Sequence, residues 1–316
     1  MPLVSVLVAV HNGMPYLPEA VGSVWGQTLT DLELVIVDDG STDGSGRYLD
    51  GLTGGRLRII HQPHRGLSYA LNRGLEVCQG QFLARMDADD VSLPSRLERQ
   101  VEFLGEHPDV AAVGCSVIYV GPTGKRGSMV VVPTEHQEVL GRLLSRGLGL
   151  CHPSVCFRTS ALRSIGGYRD LPAEDMDVFL RLADRYRLAN VREPLLLWRV
   201  HLGSVTAQQM KSHQAGFLYH IECYRRRQAG QAVPTYGEFV ARMQAWPLWR
   251  KAAWQMDNYA LSQYKRSLAE MLGGHPLRGR VRLGWAALCS PGRVLRRGLR
   301  AMAGWRRPVR ARSRAA

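Results

Sequence analysis

The chain alternates short, continuous apolar runs with polar loops and amphipathic stretches. Leu3 to Val10 is apolar and rich in valine, the pattern of a strand covered on both faces in a parallel sheet. His11-Asn12-Gly13 turns the chain, and Leu17, Val21, Val24 and Trp25 recur along one face of a helix whose first turn holds Pro18. Leu32 to Val37 and Leu57 to Ile60 repeat the strand pattern. A second amphipathic helix carries Leu67, Ala70, Leu71, Leu75 and Cys78, and Phe82 to Met86 is a fourth strand. This order predicts an α/β fold, a Rossmann-like, doubly wound, mostly parallel sheet whose ligands lie beyond the carboxyl ends of its strands.

Further along, Leu97, Val101 and Leu104 predict a helix that starts near Ser92-Leu93-Pro94 and ends at Glu106. Val110 to Val120 and Ser128 to Val132 read as a hairpin around Gly121-Pro122-Thr123-Gly124. A helix is expected over 135–146. Glu174-Asp175-Met176-Asp177 opens another, with Val178, Phe179, Leu182 and Tyr186 to pack. Leu195 to Val200 is a last strand, ending at His201. From about Ala207 the texture becomes helical and rich in Arg and Trp. The expected organisation is a body over 1–206 and a basic helical extension over 207–316.

Charge sharpens that division. Residues 211–316 hold 21 Lys/Arg against 4 Asp/Glu, whereas the first 210 hold 20 against 23. A basic end on a near-neutral body implies an anionic partner surface, bilayer or nucleic acid. Val294, Leu295, Leu299, Met302 and Trp305 can share one helix face with Arg293, Arg296, Arg297 and Arg300 largely elsewhere. That is an interfacial amphipathic helix, or a solvated basic face on a helix packed against the body. No apolar run reaches the roughly 18 residues of a spanning helix. The amino-terminal run lacks a basic leader and a cleavage site, so it reads as a strand. Six cysteines without a CxxC pair fit a reducing compartment.

The candidate chemistry sits in the polar loops after the first, second and fourth strands, all on one sheet edge. Phe82 to Met86 ends in Asp87-Ala88-Asp89-Asp90. Such a cluster can hold Mg²⁺ or Mn²⁺, which take carboxylate and phosphate oxygens, or it is an acidic turn that caps the next helix. The loop from Asp38 to Ser45 combines acceptors for a base or ribose with glycines that let backbone approach a ligand. Neither GxGxxG after the first strand nor GxxxxGK[ST] occurs, which disfavours the dehydrogenase and P-loop folds.

Seven motifs in order resemble the family 2 glycosyltransferases, inverting enzymes with the GT-A fold. They are Val4 to Gly13, Val37 to Asp43, Gly66 to Gly74, Ala84 to Asp90, Gly166 to Arg169, Glu174-Asp175, and Arg199-Val200-His201. The likeness runs from Val4 to about Thr206. It implies that Val10, His11, Asn12 and Asp39 hold the base and ribose of a nucleotide-sugar donor, a UDP-sugar for preference. Asp38 then orders the loop, and Arg65 meets the diphosphate or the base. Asp87, Ala88 and Asp89 match the family's DXD, with Asp87 nearer the ribose and Asp89 on the metal, Mg²⁺ or Mn²⁺.

The same resemblance makes His201 a metal ligand, although a histidine at a strand end is also satisfied by backbone alone. It makes Asp175 the general base, although a carboxylate there also suits a helix start. Glu174, His152 and the Gly166-Gly167 loop border donor sugar and acceptor, with a structural role for His152 equally open. Asp177 reads as a first-turn helix carboxylate and Asp90 as a cap.

The polymerising members' QxxRW pattern is missing at Trp254 and Gln255, so one sugar per encounter is expected. The acceptor is then a glycan or lipid-linked saccharide of the cell surface, met by a cytoplasmic enzyme peripheral on the inner membrane face through 207–316. The alternatives are a nucleotidyltransferase on a related fold and a non-enzymatic nucleotide or nucleic-acid binder. The acidic loops disfavour nucleic acid, because they repel phosphate unless a cation intervenes.

Overall fold

The computed structural model describes residues 1–145, 147–203 and 210–292. The parallel half is built from β1 (Val4–Val10), β2 (Leu32–Asp39), β3 (Leu57–Gln62) and β4 (Phe82–Asp87). Between them run α1 (Leu17–Trp25), α2 (Ser45–Asp50) and α3 (Leu67–Val77). Each strand alternates its side chains between two apolar layers, as the pleat requires. Leu7, Val35, Val37 and Leu83 pack on one face with α3, while Val6, Val8, Leu34, Ile36 and Met86 pack on the other with α1. Every residue of β2 is buried, which is why its run in sequence is unbroken by exposed polar positions. Each such aliphatic side chain contributes about 1.5–3 kcal/mol by leaving water.

The second half is mixed. After β5 (Val91–Ser92) and α4 (Arg96–Glu106) come β6 (Val110–Val120), β7 (Arg126–Val130) and α5 (His136–Leu144). A 3₁₀ turn at His152–Ser154, then β8 (Cys156–Arg158), α6 (Thr159–Ser164), α7 (Glu174–Leu182) and β9 (Arg187–Arg199) complete it. The sheet order is β3-β2-β1-β4-β8-β6-β9-β5, with β7 beside β6. β8 is antiparallel to β4 and β6, and β9 runs parallel to β6.

The short elements α2, β8 and α6 were not expected from the sequence, and other details depart from its reading. The helix expected from Ser92 begins at Arg96, because Val91 and Ser92 pair with Leu197 and Leu196 of β9. β9 starts eight residues before the expected Leu195, with its pairing to β6 shifting around Pro194. Asp90 does not cap a helix: it is fully buried and accepts the Arg199 backbone N–H at 2.7 Å.

The C-terminal part contains α8 (Met210–Gln228), α9 (Tyr236–Gln244), α10 (Leu248–Leu272) and α11 (Pro276–Cys289). The expected break near 206 falls outside the described residues, as does the stretch Val294 to Trp305. α8 is part of the body, since Ile221 and Tyr224 share an apolar cluster with Phe157 and Phe179. Its Gly216 lies against the loop before α7, and a Cβ there would sit 2.1 Å from the Pro172 carbonyl oxygen. Among the described residues no helix is long and apolar enough to cross a membrane.

Gly216→Ala should therefore cost about 1–3 kcal/mol, even though alanine is the better helix former by roughly 1 kcal/mol. A urea midpoint at or above the native one would show that the close approach is not required.

Candidate active site

Parallel pairing brings the carboxyl ends of four strands level. Val10 is opposite Asp38, Ala9 is opposite both Val37 and Asp87, and Asp39 is opposite Gln62. The first two loops are then sewn together. Asn12 N–H donates to Ser41 Oγ (2.9 Å), Thr42 N–H to Asn12 Oδ1 (2.8 Å), Gly13 N–H to Ser45 Oγ (2.9 Å) and Met14 N–H to Asp43 Oδ2 (2.8 Å). Asn12 has φ +56°, the left-handed region that asparagine tolerates better than most residues. The His11 ring stacks on His64 at 4.0 Å.

Asp38 orders its loop, accepting Ser41 N–H at 3.0 Å and pairing with His61 Nδ1 at 2.9 Å. Asp39 is buried and receives Gln62 Nε2 (2.7 Å), Arg65 N–H (2.9 Å), Gly66 N–H (2.8 Å) and His64 Nδ1 (2.9 Å). Burial pushes its carboxyl up, but these donors outweigh it and hold the group below the usual range. These bonds tie residues 62–66, which carry Arg65, to Asp39. That guanidinium lies 3.6 Å over the Tyr69 ring.

The turn after β4 concentrates negative charge. Carboxylate oxygens of Asp87, Asp89 and Asp90 lie within 4.8 Å of one another. Arg85, two residues back on the same strand face, pairs with Asp87 at 2.5 Å and is 3% exposed. Burial, with Asp89 and Asp175 nearby, still raises Asp87 above its ordinary value against the pull of Arg85. Asp90 is raised further, by burial and by its two neighbours. From the far end of β9, His201 Nε2 reaches Asp89 Oδ2 at 2.9 Å. Arg199 donates to the Asp89 carbonyl (2.7 Å), the Gly121 carbonyl (3.1 Å) and Glu19 (2.5 Å), with its guanidinium 4.5 Å from the Tyr16 ring centre.

Asp175 and Glu174 open α7 facing this turn, close enough that Asp87 responds to Asp175 and Arg85 to Glu174. Asp175 Oδ1 accepts the Met176 N–H at 2.8 Å. Burial, then the charge of Asp175, pushes Glu174 up to about 8. His152 is buried between Glu174 (3.8 Å) and the Tyr168 hydroxyl (3.0 Å). Burial and Arg85 depress it well below the usual imidazole range, so it is neutral.

The glycine pair serves α7 and α3. Gly166 and Gly167 have φ of +76° and +65°, and Arg181 donates to the carbonyls of Ile165 and Gly167. Asn72 exchanges two hydrogen bonds with the Tyr168 backbone. Asp177 is buried against Arg181 at 2.7 Å and His220 at 3.6 Å, so it anchors the helix.

A family model described as Glycosyl transferase family 2 matches residues 5–166. The chain belongs to glycosyltransferase family 2. It is 32% identical to a putative glycosyltransferase, EpsE, of Bacillus subtilis, over 61% of this chain and 72% of that one. It is 29% identical to the O-antigen biosynthesis glycosyltransferase WbnJ of Escherichia coli, over 71% and 86%. Solved structures agree on the GT-A fold. TarS of S. aureus, in complex with UDP-GlcNAc, aligns with a TM-score of 0.61 at 18% identity, covering 94% of this chain and 92% of that one. The mannosyltransferase PcManGT of Pyrobaculum calidifontis, in complex with GDP-Man and Mn²⁺, aligns at 0.54 and 21% identity, covering 90% and 87%.

In this glycosyltransferase the aspartate turn suits a divalent cation. Its donors are hard oxygens and one imidazole, Asp90 Oδ2 is buried without a partner, and burial with crowding raises Asp87 and Asp90. The sequence reading missed Arg85, Tyr168 and His213, which chemistry alone does not mark. Arg85 keeps Nε and Nη1 unpartnered in the interior. His213 of α8 buries an unpartnered Nδ1 within reach of the Asp175 charge.

The fold holds Glu174 protonated, so its contribution to stability is complete below about pH 4.5 and is lost as pH rises toward 8. Glu174→Gln keeps the neutral shape at every pH. Between pH 5 and 8 the native protein should lose on the order of 1–3 kcal/mol that the variant does not. Parallel melting curves would show that Glu174 is ordinarily ionised.

Proposed function

We propose that this glycosyltransferase transfers a sugar, with inversion, from a nucleoside-diphosphate sugar to a hydroxyl of a glycan or lipid-linked saccharide. The observation that carries the reading is that the Asp87–Asp90 turn lies near enough to the start of α7 for Asp87 to feel the charge of Asp175. One short space then holds groups for a diphosphate and a base for the acceptor. The complexes with UDP-GlcNAc and GDP-Man belong to the fold neighbours and support the donor class. The name of WbnJ supports a place in cell-surface polysaccharide synthesis.

In this reading the sewn loops at His11–Asn12 and Asp38–Asp43 receive the nucleoside, and Arg65 swings from Tyr69 toward its phosphates. Asp87, Asp89 and His201 would hold Mg²⁺ or Mn²⁺, which when bound offsets the charge on the departing diphosphate. Arg199 fixes the Asp89 carbonyl, so that Asp89 and His201 keep their spacing. Asp175 takes the proton of the acceptor hydroxyl as that oxygen bonds to the anomeric carbon and the bond to the diphosphate breaks. Protonated Glu174 meets its neighbour as a hydrogen-bond donor and not as a second anion. Neutral His152, held by Tyr168, offers a fixed polar edge to the sugar.

Asp175→Asn should cut transfer by about 10³-fold or more, within the range of lost acid–base catalysis, while binding of the nucleoside diphosphate with Mn²⁺ stays within a few-fold of native. Asp89→Ala should abolish that Mn²⁺-dependent binding, read by calorimetry. Undiminished transfer by Asp175→Asn would refute the base assignment.

A further inference from the structure

α10 and α11 form an antiparallel pair, and their shared face is settled by a few contacts. Arg282 of α11 donates to Glu270 (2.8 Å) and Gln263 (2.9 Å), and Ser290 Oγ donates to Asp257 (2.8 Å). A Cβ on Gly279 would press on Met271 and Ser267, and Ala286 is fully buried on the same face. Roughly 140° around α11 lie Leu277, Val281, Trp285 and Leu288, which are 57–75% exposed. Their spacing is that of a single helical stripe. Leu248, Trp249, Met256 and Tyr259 make a second stripe along the first half of α10, 52–83% exposed. Half of the exposed large hydrophobic side chains among the described residues thus sit on these two helices.

An apolar surface on this scale is costly in water unless something covers it. The surroundings name the cover. Arg278 and Arg280, both exposed, flank the α11 stripe on either side, and exposed Arg250 lies beside Trp249. Residues 211–316 carry 21 Lys/Arg against 4 Asp/Glu, so a second copy of the same face would bring like charges together. Aliphatic side chains flanked by arginines, with tryptophan among them, match the boundary between lipid headgroups and acyl chains. No described helix is built to span that layer.

We infer that the α10–α11 pair is a docking surface for an anionic bilayer. Leu277, Val281, Trp285 and Leu288 enter the headgroup boundary while Arg278 and Arg280 meet lipid phosphates. The surface lies outside the transfer site and does not depend on the reading of that site.

The test is flotation of the full chain with phosphatidylcholine vesicles, with and without phosphatidylglycerol. Native protein should float with the anionic vesicles and be released by salt. Val281→Glu with Trp285→Glu should lower partitioning at least about tenfold, with the melting temperature and Mn²⁺-dependent nucleotide binding unchanged. Arg278→Gln with Arg280→Gln, which leaves the apolar stripe intact, should lower flotation at low salt and serves if the glutamate pair disturbs folding. The inference is overturned if native protein does not float or if neither pair of substitutions alters flotation. It is also overturned if the glutamate pair instead dissolves a dimer in sedimentation, or abolishes retention on DNA while flotation persists.

Discussion

Three carboxylates within 4.8 Å in a partly buried turn set the terms for the rest of this site. Like charges so close, only partly reached by water, repel, and the fold answers with two arginines used differently. Arg85 comes up the same strand and spends its charge directly on Asp87. Arg199 comes from the far end of β9 and grips the turn through the Asp89 carbonyl. One compensates charge and the other fixes position. The turn keeps its shape without being neutralised, which leaves it ready for a cation.

This division of labour explains why the mixed half of the sheet exists. β9 pairs with β6 along its length and with β5 just after the turn, so its end is bound to arrive beside Asp89. Asp90, buried and bonded to the Arg199 backbone, makes that arrival specific. On the other side, β8 against β4 sets the 3₁₀ turn with His152 beneath the acidic edge. α7 then brings Glu174 and Asp175 over it. Burial, then the charge of Asp175, pushes Glu174 up to about 8, and the adjacent Asp175 is proposed as the base. A pair of acids placed in different environments is a recurring way to assign acid and base roles.

Much of this was legible from periodicity. The four parallel strands, with α1 and α3 but not the short α2, follow from apolar runs and amphipathic spacing, and loops on one edge follow from the topology. The turn at Asp87–Asp90 and the helix opening at Glu174 were marked by their composition. What stayed hidden were the partners. Nothing in the local pattern says that Asp39 is saturated by the 62–66 loop, or that Asp177 turns inward to Arg181 and His220. β5 and β8 were missed because two or three residues are too few to show a period. The start of β9 was missed because Glu193 and Pro194 interrupt it. Arg181, which bonds the carbonyls of Ile165 and Gly167, was likewise out of view. In each case a long-range contact outweighed the local signal.

Asn72 joins Tyr168 across 96 residues of chain. The four parallel strands all lie within the first ninety residues, and the loops after β1 and β2 bond to each other, whereas the turn after β4 waits for Arg199 and His201. The corner that orients α7 waits for a partner from much later in the chain, and Pro172 in turn leans on Gly216 and His220 of α8. Loop closure over such separations is slow compared with local pairing. During synthesis the parallel half of the sheet therefore comes first, and the two corners that hold the acidic turn and α7 are closed only by segments made later.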